Sequence, residues 1–227
     1  MADKHYTRLS SSTGSFDAML AKFGVVTVMD AKIFEYSEEK IKDQTPYQIY
    51  QTLSKETPVC SLDTLKIANV TIDGPTKTIT GGKYNNTLLK YGKTARLEMQ
   101  DALGNAEAID ALCGGLVEKR TADGETDPKT KIGLHVGSDF STPKTIIGDS
   151  FFLDENGQQV KVGIIFYQFN PDSLFNLTQD AEGDATVFDM NGDLLTTEVM
   201  IGNDAGKNVS HGVFYSIVDP THVDAQA

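Results

Sequence analysis

Apolar and polar positions alternate most regularly over residues 94–103. Ala95, Leu97 and Met99 fall on one side there, and Thr94, Arg96, Glu98 and Gln100 on the other. A period of two with a single apolar phase predicts an antiparallel strand that packs on a core with one face and meets water with the other. Residues 160–169 behave differently. Val160, Val162, Ile164 and Phe166 mark one apolar phase, and from Ile165 onward Ile165, Tyr167 and Phe169 add the second. A strand apolar on both faces needs two covers, and the second can be a helix or sheet of the same chain or another subunit. Just ahead of it, Asn156-Gly157 lies between apolar runs and marks a tight hairpin turn that accepts positive φ.

The β-branched and aromatic composition of residues 25–34 and 59–72 predicts further strands. In the second, the apolar phase slips between Ile67 and Val70, which predicts a bulge or bend near Asn69. VFYSIV at 213–218 reads as a closing strand. Phe16, Met19, Leu20 and Phe23 recur at helical spacing, with Ser15 placed to cap and Gly24 to stop a short helix. A better-marked helix follows Asn105. Its Ile109, Leu112, Cys113 and Leu116 form one stripe, Glu107 and Asp110 suit the helix dipole, and Gly114-Gly115 can end it.

Three segments lack a sustained period. Residues 36–58 are polar and proline-bounded, a binding loop or small helical insertion. Residues 76–93 (TKTITGGKYNNTLLKYGK) read as a second long polar loop, and 118–131 as a charged, turn-rich, exposed stretch. The first two far exceed the roughly 4–6 residues typical of connections in compact domains. The expected architecture is mainly β: seven or eight strands in an antiparallel β-sandwich or partly closed barrel, with one packed α-helix and long loops. The chain reads as one domain over 1–227, with 1–15 as a mobile N-terminal arm and 219–227 as a C-terminal tail.

A chain of 227 residues can bury one sizeable core. Its formal charge of −12 argues against a nucleic-acid-binding surface, which needs clustered Lys and Arg. Cys60 and Cys113 are too few for a disulfide scaffold and read as buried thiols of a reducing compartment. The amino terminus has no apolar signal-peptide core, and no window approaches the roughly 18 apolar residues of a membrane span. A soluble protein made in the cytoplasm is expected.

Motifs for covalent or metal chemistry fail one by one. His5, His135, His211 and His222 are scattered without ligand spacing, so no metal is expected. Gly148-Asp149-Ser150-Phe151-Phe152 lacks the second glycine of a nucleophile elbow. Gly81-Gly82-Lys83 is followed by Tyr84, and the first glycine of a phosphate loop would fall at Lys77. Asp189-x-Asn191-x-Asp193 starts like a calcium loop, but Leu194 occupies the sharp-turn position, and a surface turn is expected instead. The expectation is a protein that is not an enzyme and uses no cofactor.

Two segments, TITGGKYNNTLLKYGKTARLEMQDALGNAEAIDALCGG (78–115) and FNLTQDAEGDATVFDMNGDLL (175–195), together with VFYSIV, resemble the major tail (tail tube) proteins of tailed bacteriophages. The likeness lies in the order of features: long loop, alternating strand, capped helix, hairpin, then a strand leading into an acidic turn. It implies a β-sandwich with a packed helix that closes into hexameric rings, which stack into a hollow tube for DNA. The protein would then be a structural component of the virion tail, assembled in the host bacterial cytoplasm. Its partners would be further copies and other tail proteins, and DNA would pass without specific binding. Under that resemblance a neighbouring subunit becomes the expected cover for the strand around 165–169. The 76–93 segment becomes a candidate ring-stacking loop, through Gly81, Gly82, Tyr84, Asn85, Leu88, Leu89 and Tyr91. Asp180, Glu182, Asp184, Asp189 and Asp193 become candidate lumen acids, with 36–58 a further candidate for ring contacts. The alternatives are an Ig-like or jelly-roll module that recognises a protein or sugar through its loops, and an unrecognised hydrolase.

Overall fold

The computed structural model describes residues 14–25, 30–63, 65–74, 76–81, 85–90, 92–101, 105–120, 130–172, 188–202 and 207–221. In order these form α1 (Phe16–Ala21), β1 (Gly24–Val25), β2 (Asp30–Glu35), α2 (Glu38–Ile41), α3 (Pro46–Lys55), β3 (Cys60–Leu62), β4 (Leu65–Asp73), β5 (Thr76–Gly81), β6 (Asn85–Lys90) and β7 (Thr94–Asp101). There follow α4 (Ala106–Cys113), β8 (Gly115–Arg120), β9 (Thr130–Val136), β10 (Lys144–Leu153), β11 (Gln159–Pro171), β12 (Phe188–Leu195), β13 (Thr197–Gly202), β14 (Asn208–Val213) and β15 (Tyr215–Val218). The fold is mainly β and sandwich-like, as expected, but it is no closed barrel. A nine-stranded antiparallel sheet follows the path β3-β2-β10-β11-β12-β7-β4, with β1 on β10 and β15 on β11. Three two-stranded ribbons, β5-β6, β8-β9 and β13-β14, pair outside it. Four helices lie among the described residues: the two that the sequence marks, after Ser15 and Asn105, and two more within 36–58. Most of the expected N-terminal arm (1–13) and the end of the tail (222–227) fall outside them.

The β10-β11 hairpin organises the sheet. Its turn closes with the Gly157 N–H donating to the Asp154 carbonyl at 3.0 Å and the Asp154 N–H donating to the Gln158 carbonyl at 2.9 Å. Only Gly157 takes positive φ there, at 74°. The connection is therefore a three-residue loop with a glycine bulge, not the two-residue turn that needs positive φ twice. The Asp154 carboxylate accepts from the N–H groups of Asn156 and Gln158, at 2.9 and 2.8 Å, which satisfies a buried acid.

Both faces of β11 are covered by the chain itself. On one side Phe166 and Phe169 join a core with Ala31 and Ile33 of β2, Leu97 and Met99 of β7, and Leu112 of α4. Phe169 reaches that side because the register with β10 shifts between Ile146↔Phe166 and Lys144↔Phe169, and the extra residue reverses its phase. On the other side Ile165 and Tyr167 are fully buried against Ile41 of α2, Ile49, Tyr50 and Leu53 of α3, and Val199 of β13. The expectation that a neighbouring subunit covers this face is thereby corrected. A third cluster puts Met19 of α1 on Phe152, Val160 and Val162.

Segment 36–58 resolves as the helical insertion, not the binding loop. Thr45 and Gln48 form a reciprocal capping box, with Gln48 N–H donating to Thr45 Oγ1 at 3.3 Å and Thr45 N–H to Gln48 Oε1 at 3.0 Å. Pro46 stands at the first helical position, where its missing N–H costs nothing. Thr45-Pro46-Tyr47-Gln48 was thus a legible helix start that the search for a long apolar period passes over. Tyr50 lies so close to β11 that a Cβ on Gly163 would meet its ring at 2.6 Å. The Tyr50 hydroxyl donates to Asp149, whose carboxylate also holds Lys161 at 2.8 Å.

Other boundaries move. α1 is capped by Ser15 as expected, but it ends at Lys22, and Gly24 belongs to β1. Segment 59–72 is two strands, β3 and β4, and its irregularity falls between Leu65 and Ile67, not at Asn69. Segment 76–93 is not a loop: β5 and β6 pair along their whole length, from Thr76↔Lys90 to Gly81↔Asn85. Residues 118–131 contribute to β8 and β9, with 121–129 outside the described residues. The closing strand breaks at Phe214 into β14 and β15. α4 buries Ile109, Leu112 and Cys113, but Leu116 leaves the helical stripe because the left-handed Gly114 ends the helix first.

Leu97 and Leu112 do share one core, as the alternation and the stripe predict. Replacing either with Ala should cost about 2–5 kcal/mol, the range for a buried leucine whose cavity collapses only partly. Denaturant titration of the two variants checks this, with a lowered midpoint and an unchanged slope as the expected result.

Candidate functional site

Strands β12, β7 and β4 run side by side at one end of the large sheet, and β4 is its terminal strand. The register places Asp189, Asn191 and Asp193 of β12 opposite Gln100, Glu98 and Arg96 of β7. β7 in turn sets Thr94, Arg96 and Glu98 opposite Asp73, Thr71 and Asn69 of β4. Directly paired residues point to the same side of a sheet, so these side chains form one polar face. The opposite face carries Ala95, Leu97, Met99, Met190 and Leu194 into the core.

Arg96 ties the acids of this face together. It bonds Asp172 just beyond β11, approaches Asp193 at 3.3 Å and lies 3.8 Å from Glu98. The hydrogen bond to Asp172 is the main cause of an upward shift in its pKa, so the guanidinium remains charged throughout. Gln100 donates to Asp189 at 3.0 Å. Asp73, Glu98 and Asp189 keep exposed carboxylates on the same face. The result is a negatively charged sheet surface whose acids are bridged by the Arg96 guanidinium, whose planar fork suits carboxylates.

Of the sequence-derived acids, Asp189 and Asp193 lie here, on a strand and not in a loop. The expected surface turn at 189–193 is corrected accordingly. Asp193 also has a basic partner, which the run of acids alone gave no reason to expect. Asp180, Glu182 and Asp184 lie outside the described residues. Among the stacking candidates, Gly81 ends β5 and Asn85, Leu88 and Leu89 lie in β6, while Gly82, Tyr84 and Tyr91 fall outside the described residues. Glu98 and Asp172 were missed. Glu98 was legible as the outward phase of β7, but nothing in the sequence tells which strands flank β7.

Elsewhere the described residues offer little for chemistry. The crevice between α4 and β12, lined by Asp101, Asn105, Ile109, Cys113, Phe188 and Asp189, has a volume of about 10 Å³, no more than one water occupies. Neither cysteine forms a disulfide, and both are buried. Burial, reinforced by Glu107, pushes the Cys60 thiol up to about 12, and burial alone raises that of Cys113, so neither supplies a thiolate near neutrality. Among the described residues no three His, Cys, Asp or Glu side chains converge on a metal position, and no helix is long and apolar enough to cross a membrane. No protein-family model matches the chain, and no curated protein matches it significantly.

Arg96→Gln should leave the fold intact while releasing repulsion among the surrounding carboxylates. The loss should stay near 1 kcal/mol at physiological salt, because the pair is partly exposed, and should grow at low ionic strength. Thermal melts of both proteins across a salt series check it. A salt-independent difference would mean that Arg96 acts by packing.

Proposed function

We propose that the chain is a structural subunit that assembles with copies of itself into rings, as the tail tube proteins it resembles do, and serves as a wall around passing DNA. The observation that carries this reading is the long terminal strand β4 beside the acidic face. β4 spans nine residues, whereas β3, at the other end of the sheet path, spans three. Exposed edges invite pairing with another chain, and monomeric proteins blunt them with short strands, prolines or inward-pointing charges. Among the described side chains of β4 the inward phase holds Leu65, Ala68, Val70 and Ile72, with no charge. That is an edge fit for strand addition from a neighbour.

Pairing β4 with a different edge of the next copy is a heterologous contact, and such contacts close into rings when the rotation allows. The face bearing Glu98, Asp189 and Asp193 would then continue from subunit to subunit. Turned inward, it repels phosphates instead of gaining counterion-release affinity for them, so DNA would slide without being held. In this reading the protein acts in a virion tail, binds other tail proteins and has no catalytic role. The β5-β6 ribbon, which lies between β4 and β7 in the chain and carries Gly81, Asn85, Leu88 and Leu89, is the proposed ring-to-ring contact.

Negative-stain microscopy and sedimentation of the concentrated protein test the proposal. Rings or tubes are expected, and a wild-type chain that stays monomeric at every concentration would remove the basis for it. Ile72→Lys introduces an inward charge at an exposed edge position. It should keep a cooperative melt and abolish rings. Glu98→Lys with Asp189→Lys should instead leave rings intact and make them retain added DNA, with retention falling steeply as salt rises.

A further inference from the structure

Asn-Gly occurs twice in the chain, at 156–157 and at 191–192, and the fold treats the two dipeptides in opposite ways. Glycine puts no side chain between an asparagine and the backbone nitrogen that follows it, so that nitrogen can close on the side-chain amide carbon. Asn191 and Gly192 lie inside β12, opposite Glu98 and Leu97 of β7, and Gly192 also faces Pro171 of β11. The Asn191 carbonyl accepts from the Asp172 N–H at 2.8 Å. A Cβ on Gly192 would meet the Asn170 carbonyl oxygen at 2.3 Å and the Phe169 ring at 2.7 Å, so the backbone has no room to swing toward the Asn191 side chain. Asn156 and Gly157 instead stand with Glu155 and Gln158 at the tip of the β10-β11 hairpin, all four exposed. The attacking nitrogen of Gly157 is held there by its hydrogen bond to the Asp154 carbonyl, at 3.0 Å. A hairpin tip opens locally at little cost, whereas parting β12 from two neighbours disrupts much of the sheet.

We infer that Asn156 is a site of spontaneous modification, converted through a cyclic imide to aspartate and isoaspartate, and that the isoaspartate form loosens the hairpin's hold on the segment that begins at Gly14. The Gly157 nitrogen gives its proton to hydroxide and bonds to Asn156 Cγ. The Cγ–Nδ2 bond then breaks, and Nδ2 leaves as ammonia. Water adds to one of the two imide carbonyls and opens the ring. Breaking the new Cγ–N bond restores the ordinary backbone with an aspartate. Breaking the original peptide bond instead leaves the chain running through Cβ and Cγ, with the former main-chain carbonyl now a free carboxylate. Water is the only co-reactant and nothing is oxidised or reduced.

The consequence follows from the buried carboxylate beneath the tip. Asp154, 6% exposed, accepts from the N–H groups of Asn156 and Gln158, at 2.9 and 2.8 Å. Isoaspartate adds a backbone carbon between those two donors, so one carboxylate no longer reaches both, and a buried acceptor loses a bond. Gly14 rests on the same group. A Cβ there would meet Val160 Cγ2 at 2.9 Å, Gln158 Cβ at 3.1 Å and Asp154 Oδ2 at 3.2 Å, and the Gly14 N–H donates to the Gln159 carbonyl at 3.0 Å. Two residues further on begins α1, whose Met19 is fully buried on Phe152, Val160 and Val162. A displaced Asp154 therefore disturbs the seat of residues 14–21 first.

The test holds the full chain in mildly alkaline buffer, samples it over time and reads each Asn-Gly peptide by mass spectrometry, with enzymatic methylation to count isoaspartate. Conversion at Asn156 is expected about tenfold or more faster than at Asn191, rising with hydroxide concentration and yielding isoaspartate as the major product. Equal rates at the two positions would overturn the site. So would an intact Asn156 after the time in which a free peptide of residues 153–160 converts fully. Amide exchange over 14–21 reads the consequence. It should quicken about tenfold in the converted chain and keep its starting rate in Asn156→Gln aged alongside, because glutamine closes its larger ring far more slowly. Unchanged exchange in the converted chain would overturn the loosening, and equal quickening in Asn156→Gln would overturn it by tracing the effect to another position.

Discussion

A strand that is apolar on both faces has to be sandwiched, and most of this structure follows from how β11 meets that demand. Leaving Ile165 and Tyr167 in water would forgo about 1.5–3 kcal/mol for each large side chain. The chain supplies the cover locally, from α2, α3 and β13, so this face is complete in a single copy. The other face is completed by α4 and by strands that reach it from both sides of the sheet path. Seven strands laid flat would span about 29 Å, too wide for one short helix to cover. Residues of β3, β2, β10, β11, β12 and β7 nonetheless fall in one packed cluster with α4.

That arrangement leaves the far end of the sheet one-sided. β7 and β12 spend their apolar phase on the core and present a polar phase to water, and β4 closes the path with its outer edge unpaired among the described strands. Acids dominate the polar side because nothing there asks for apolar residues, and Arg96 keeps the densest part of it from repelling itself apart. An edge unpaired among the described strands and a charged surface thus fall on the same three strands.

Local pattern was enough to read the strands and helices whose physics is local. The alternation of 94–103 yields β7 because the side-chain period of a strand is two, and the Asn105 cap with its stripe yields α4 because the helical period is 3.6. The Thr45-Gln48 capping box was equally present and went unread, since a helix of ten residues needs no long apolar run once one face packs. Segment 76–93 misled for the opposite reason: paired glycines and asparagines suggest an irregular backbone, but backbone pairing across a ribbon does not depend on side-chain burial.

By itself, the sequence determined that the chain is mainly β, that β11 needs two covers, that β7 has a wet side and that the whole is strongly acidic. These follow from transfer free energies and from periodicities that act within a few residues. Only the tertiary structure decided which element covers each face of β11, which strand ends the sheet and which acids share a surface with Arg96. Those outcomes depend on pairings between residues nearly a hundred positions apart, such as Arg96 with Asp193. Hydrophobicity sets how much surface must be buried, while strand order and register, which many sequences of the same pattern could satisfy differently, set against what.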